Sequence, residues 1–280
     1  MTPLYKFIRD PEVSKLVCAG KLKFSPISEL NDPSEMSAPV TFEDIISSRD
    51  LLRKNGYTSE GIEDLKRQEA LFDCLVPGMK AISAPSSAHV ATQIIRGSFF
   101  DNLEELVSRL NQMSLKLSER VGYLCLTRSF RSLPMWAHYA GNAKGAVIEF
   151  NNLDHCFNGH KSGVLNELKS VKYTETRRGV TFEPYSYESL FFHKFEDWRY
   201  EQEVRVVKRL CDCQEIEGGN GKSVFIHEIP LSHISKVIFG WNTDENLVKS
   251  LLATLKDINQ NVEIFKVNFK HGEFHLKTLI

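Results

Sequence analysis

The segment Trp198-Arg199-Tyr200-Glu201-Gln202-Glu203-Val204-Arg205-Val206-Val207 sets two carboxylates and a guanidinium at alternate positions. In a strand, successive side chains point to opposite faces. Glu201, Glu203 and Arg205 then share one face, and Val204 and Val206 share the other. The valines suit a core, whereas a buried carboxylate needs a partner. Two acids and a base in line read as the wall of a polar cleft. Taken alone, the segment favours a solvated edge strand with an ion pair across its face.

Two further groups of residues carry chemistry. In Met135-Trp136-Ala137-His138-Tyr139, a helix puts Met135, His138 and Tyr139 on one face, with Trp136 to its side. Such rings either form a platform for a flat heterocycle or anchor the helix to a sheet. The N-terminal group is Tyr5, Lys6, Ser25, Asn31 and Asp32. On a strand, Tyr5 and Phe7 share a face and Lys6 takes the other, while Asn31-Asp32-Pro33 is a turn signal. His227 and His233 stand alone, and no glycine-rich phosphate loop, H-E-x-x-H, G-x-S-x-G or dinucleotide G-x-G-x-x-G occurs. No metal site is expected.

The elements that must position these residues are short. Leu4-Tyr5-Lys6-Phe7-Ile8 alternates as a strand, and Asp10 caps a helix with Pro11 in its first turn and Gly20 at its end. Leu22-Lys23-Phe24-Ser25-Pro26-Ile27 is a second strand. Strands resume at Gly122-Tyr123-Leu124-Cys125-Leu126-Thr127, and Ser132 caps the aromatic helix, which stops at Gly141. Gly145-Ala146-Val147-Ile148-Glu149-Phe150 is a buried strand, and residues 187–195 read as a helix leading into the acidic strand. A helix over 244–256 and a terminal hairpin close the chain. From 41 to 120 helical periodicity takes over, with Leu103, Leu106, Val107 and Leu110 in one stripe. The pattern predicts one α+β domain over 1–280 with a mostly antiparallel sheet and a helical insertion at 41–120.

Composition narrows the classes. The 280 residues are 42% hydrophobic and 25% charged, with a formal net charge of −1, so no global basic field advertises nucleic acid. Cys18, Cys74, Cys125, Cys156, Cys211 and Cys213 lack paired metal-ligand spacing and read as reduced thiols. The N-terminus has no signal-peptide pattern, and no run approaches the roughly 18 apolar residues of a membrane span. A cytoplasmic protein without a membrane partner is expected.

The motifs Leu4-Tyr5-Lys6, Leu22-Lys23-Phe24-Ser25-Pro26, Leu30-Asn31-Asp32-Pro33, Met135-Trp136-Ala137-His138-Tyr139-Ala140, Lys144-Gly145-Ala146-Val147-Ile148-Glu149-Phe150 and Trp198 to Arg205 occur in that order. Together they resemble the bacterial family catalogued as domain of unknown function 2971, over nearly the whole chain except 41–120. The strand order also resembles, more distantly, the ADP-ribosyltransferase fold of toxins that modify nucleic acid. That resemblance implies a split antiparallel sheet and NAD as substrate. It makes Glu203 the catalytic carboxylate beside the nicotinamide ribose and Glu201 the residue that handles the acceptor. Arg205 would then clamp Glu203 or reach a pyrophosphate. Trp136 or Tyr139 would stack on nicotinamide, with His138 beside them. Tyr5, Lys6, Ser25, Asn31 and Asp32 would bind the rest of the dinucleotide. The serine-threonine-serine strand motif of that fold has no good counterpart; Cys125-Leu126-Thr127-Arg128-Ser129 occupies the region.

The functional expectation is an NAD-cleaving ADP-ribosyltransferase or glycohydrolase, a toxin or phage-defence effector with a nucleic-acid or protein acceptor. Two alternatives stay open. One is a nucleic-acid module using Arg96, Arg109, Arg120, Arg128, Arg131, Lys144, Lys172, Arg177 and Arg178, or a metal nuclease if Glu149, Glu201 and Glu203 adjoin. The other is an interaction protein whose 41–120 insertion docks an antitoxin or chaperone.

Overall fold

The computed structural model describes residues 2–32, 108, 118–157, 165–175, 191–218 and 221–279. Apart from position 108 and the stretch 118–120, the expected insertion at 41–120 lies outside the described residues.

Alternating side chains form β1 (Leu4–Ile8), and Asp10 caps the next turn by accepting from the Glu12 amide at 3.0 Å. The short helix α1 (Ser14–Cys18) ends at Gly20, whose φ of +81° suits glycine. A Cβ there would also come within 2.4 Å of the Ile229 carbonyl. β2 (Lys21–Pro26) and β3 (Val121–Thr127) follow. Ser132 caps the helix α2 (Leu133–Tyr139) by accepting from the Met135 amide, as expected. β4 (Ala146–Phe150), β5 (Leu168–Ser170) and β6 (Lys172–Thr174) come next, then β7 (His193–Phe195), β8 (Glu203–Arg209), β9 (Gln214–Glu217), β10 (Ser223–Glu228) and β11 (Ile234–Phe239). Helix α3 (Glu245–Ile258), capped by Asp244, leads to the hairpin of β12 (Glu263–Lys270) and β13 (Glu273–Thr278).

The described fold is α+β, built on an eleven-stranded sheet in the order β13-β12-β11-β4-β1-β3-β2-β10-β9, with β8 joined to β3 and β5 to β8. Its pairs are antiparallel except β11 with β12, which the crossover helix α3 connects in parallel. β8 covers one edge of β3 along its whole length, from Val121 opposite Arg209 to Thr127 opposite Glu203. A strand has only two edges, so β1 and β2 must share the other. β2 meets β3 at Gly122 and Tyr123, and β1 meets it at Thr127. The two strands part between these points, and the sheet splits over Cys125.

Each face of the sheet has its own interior. On one, Leu124, Leu126, Ile148, Phe150, Val204 and Val206 join Val248, Leu251 and Leu255 of α3. On the other, Trp136 of α2 packs with Tyr5, Val147, Ile238 and Val267. Among the described residues, no helix is long and apolar enough to cross a membrane.

Three local expectations need correction. β8 is an inner strand between β3 and β5, not a solvated edge. Glu201 does not lie on it: Glu196–Glu201 winds as a 3-10 helix, Gln202 takes a left-handed φ of 44°, and the strand begins at Glu203. The stretch 187–195 is not a helix throughout, because His193–Phe195 forms β7, parallel to β6.

Candidate functional site

β8 presents Glu203 and Arg205 on the face away from Val204 and Val206, as alternation requires. The guanidinium grips the carboxylate at both oxygens, Nε to Oε1 at 2.8 Å and Nη2 to Oε2 at 2.9 Å. Its Nη1 donates to the Phe191 carbonyl at 2.6 Å, and it lies 4.3 Å from the Tyr123 ring centroid. The Glu203 amide donates to the Tyr173 hydroxyl at 2.8 Å. The turn at Gln202 then brings Glu201 back towards the same point. Lys194 on β7 donates to Glu201 at 2.7 Å and to Glu203 at 3.4 Å. Tyr139 at the end of α2 donates a hydrogen bond from its hydroxyl to the other Glu201 oxygen. All four charges are buried, with exposures of 3% for Glu201, 4% for Glu203, 6% for Lys194 and 0% for Arg205.

The two carboxyls are driven in opposite directions. Burial works against the Glu203 charge, but Arg205 and then Lys194 outweigh it and hold the carboxyl at about 2. Glu201 lacks the guanidinium. Burial raises its pKa, Lys194 opposes that, and the Glu203 charge raises it further. Burial, with the charge of Glu201 next, pushes the Tyr139 hydroxyl far above its ordinary range. Cys125 is pushed up by burial too, and its thiol hydrogen-bonds Glu203. Lys6 donates to the Cys125 carbonyl at 3.3 Å, in the opening between β1 and β2, and burial lowers its pKa.

These groups face a cleft of about 240 Å³. Of the sequence candidates, Tyr5, Lys6, Ser25, Asn31, Tyr139, Glu201, Glu203 and Arg205 line it. Asp32 is buried outside that wall. Trp136 is fully buried, donating to the Phe130 carbonyl at 2.7 Å and packing on Phe7 and Trp241, so it anchors α2 instead of facing a ligand. His138 is exposed and outside the wall, stacked on Tyr200. Lys194, Tyr123, Cys125 and Thr127 also line the cleft, and sequence reasoning missed them. The lysine hid inside the stretch assigned to a helix. The β3 residues carried a signal, since Tyr123, Cys125 and Thr127 alternate on one strand face.

Glu149 sits elsewhere. Buried on β4, it accepts from Ser235 Oγ and Lys236 Nζ, each at 2.8 Å, and Tyr5 hydrogen-bonds it. β1 and β3 separate β4 from β8, so Glu149, Glu201 and Glu203 do not adjoin. Among the described residues, no three of His, Cys, Asp or Glu gather as a metal-ligand set. Of the expected basic strip, Arg120, Arg128, Arg131, Lys144 and Lys172 are exposed, and Arg96, Arg109, Arg177 and Arg178 lie outside the described residues.

No curated protein and no solved structure matches the chain. Residues 135–206 match the family model described as "Protein of unknown function (DUF2971)". The matched span runs from α2 to β8, so the likeness covers Tyr139, Lys194, Glu201, Glu203 and Arg205 but not Tyr5 to Asn31.

Proposed function

We propose that the cleft breaks the bond between nicotinamide and ribose in NAD. The ADP-ribosyl group passes to a nucleic-acid or protein acceptor, or to water, in a toxin or phage-defence role. One observation carries this reading: Glu203 is a carboxylate pinned at 2.8 and 2.9 Å by Arg205 in the cleft wall, its pKa held down by that guanidinium, beside a second carboxyl with a raised pKa.

Cleavage moves the electron pair of the C–N bond onto nicotinamide and leaves positive charge on the sugar. A fixed anion at that point stabilises the charge without reorganising. Glu203 is that anion. The nucleophile then bonds to the anomeric carbon and loses its proton to ionised Glu201, whose raised pKa makes it the better acceptor of the two. Tyr139 and Lys194 hold Glu201 in place. The cleft, about 240 Å³, is smaller than the roughly 300–1,000 Å³ of whole-ligand pockets, so it admits the nicotinamide riboside end of the dinucleotide.

Glu203→Gln keeps the side-chain shape and removes the charge. NAD cleavage by the purified protein, followed as nicotinamide release, should fall on the order of a hundred-fold or more. A variant that cleaves NAD like the native protein would sink the proposal, as would a native protein that releases no nicotinamide.

A further inference from the structure

The geometry points to a seat for the adenine base outside the cleft, on the ring stack of His138, Tyr200 and Trp198. It rests on the NAD reading above. His138 and Tyr200 lie nearly parallel, with centroids 6.2 Å apart and planes at 29°. Trp198 continues the row, 6.1 Å from Tyr200 and tilted by 39°. His138 is exposed, and the other two rings are half-buried. The rings come from two elements, α2 and the 3-10 helix Glu196–Glu201.

Three observations favour one occupant. The cleft takes only part of a dinucleotide, so the other end must lie beyond its wall. The stack is continuous with that wall on both elements: His138 precedes Tyr139, Tyr200 precedes Glu201, and Tyr139 is hydrogen-bonded to Glu201. The exposed Arg9 guanidinium reaches the His138 carbonyl at 3.2 Å, setting a cation beside the platform for a phosphate. A flat base on such rings gains stacking whatever its edge pattern, and adenine is the aromatic group at the far end of NAD.

Tyr200→Ala removes the middle ring, and Tyr200→Phe keeps it. AMP titrated by calorimetry into the full chain should bind about ten-fold or more weaker to Tyr200→Ala. Tyr200→Phe should bind AMP like the native protein, which separates lost stacking from lost folding. The KM for NAD should rise at least ten times more than the dissociation constant for nicotinamide mononucleotide. Equal effects on NAD and the mononucleotide would overturn the assignment, as would AMP binding that ignores Tyr200. A Tyr200-dependent site that takes a single-stranded oligonucleotide but not AMP would also overturn it, giving the stack to an acceptor. AMP binding that depends on Tyr200 in a protein that does not cleave NAD would keep the seat and remove the catalytic reading.

Discussion

The α3 layer and the β8 cleft wall are both buried and chemically opposite. In the first, Val248, Leu251 and Leu255 of α3 meet Val237, Phe239 and Ile264 of the sheet, with apolar atoms on both sides. In the second, Glu201, Glu203, Lys194 and Arg205 are buried too, at 6% exposure or less, yet all are ionisable. Burying each aliphatic side chain contributes about 1.5–3 kcal/mol. A buried ion cluster at best roughly matches an apolar replacement, because desolvation offsets the attraction. The α3 layer therefore explains why the sheet is stable. The cleft wall holds two carboxyls at fixed positions and drives their pKa values apart. β8 takes part in both, with Val204 and Val206 on one side and Glu203 and Arg205 on the other.

The contrast can be broken by mutation. Arg205→Leu leaves Glu203 without its bidentate partner and should cost about 3–5 kcal/mol at neutral pH, read from urea unfolding. Leu251→Ala should cost a similar amount, about 2–5 kcal/mol, by leaving a cavity. The two should separate in acid. At pH 3 the Arg205→Leu penalty should shrink, since an unclamped Glu203 can take a proton, while the Leu251→Ala penalty should persist. Equal penalties at both pH values would mean that the cluster contributes as ordinary packing.

A smaller effect concerns the native protein. Glu203 is held at about 2 against an ordinary value of 4.5, so its contribution of about 3 kcal/mol is fully present above pH 4.5 and lost as pH falls towards 2. Glu201 is shifted upward and acts oppositely, favouring the fold in acid and losing that contribution as pH rises through its folded pKa. Urea midpoints should therefore fall steeply only below about pH 4.5, and Glu203→Gln should flatten that limb. Tyr139→Phe should have the smallest effect, about 1 kcal/mol on stability. It removes a hydrogen bond that lowers the Glu201 pKa, so the acid limb of the rate profile for the proposed NAD cleavage should move to higher pH. An unmoved limb would detach Glu201 from proton transfer.

Local sequence was enough wherever a neighbour along the chain supplied the physics. Period-two alternation put Glu203 and Arg205 on one face of β8. Asp10, Ser132 and Asp244 capped their helices with their own side chains, and the terminal hairpin formed where turn residues divide two apolar runs. It failed at Glu201, because the same alternation was carried through Gln202, whose left-handed backbone interrupts the strand. It also failed at Lys194, an ordinary lysine in the chain that becomes buried only because β7 pairs with β6 beside the acidic turn. For the aromatic helix, the periodicity that grouped Met135, His138 and Tyr139 did not show which rings the sheet would cover. Packing buried Trp136 against Phe7 and Trp241 and left His138 to stack on Tyr200.

By itself, the sequence determined the α+β class, the two-sided character of β8 and eight of the side chains that line the cleft. Only the tertiary structure decided that β8 is an inner strand, that Glu203 stays ionised while Glu201 is raised, and that a lysine joins them. These depend on desolvation by strands packed around the acidic turn, and on charges that the backbone at Gln202 and the pairing of β7 with β6 bring within about 3 Å of each other, where the low dielectric of the interior magnifies both effects.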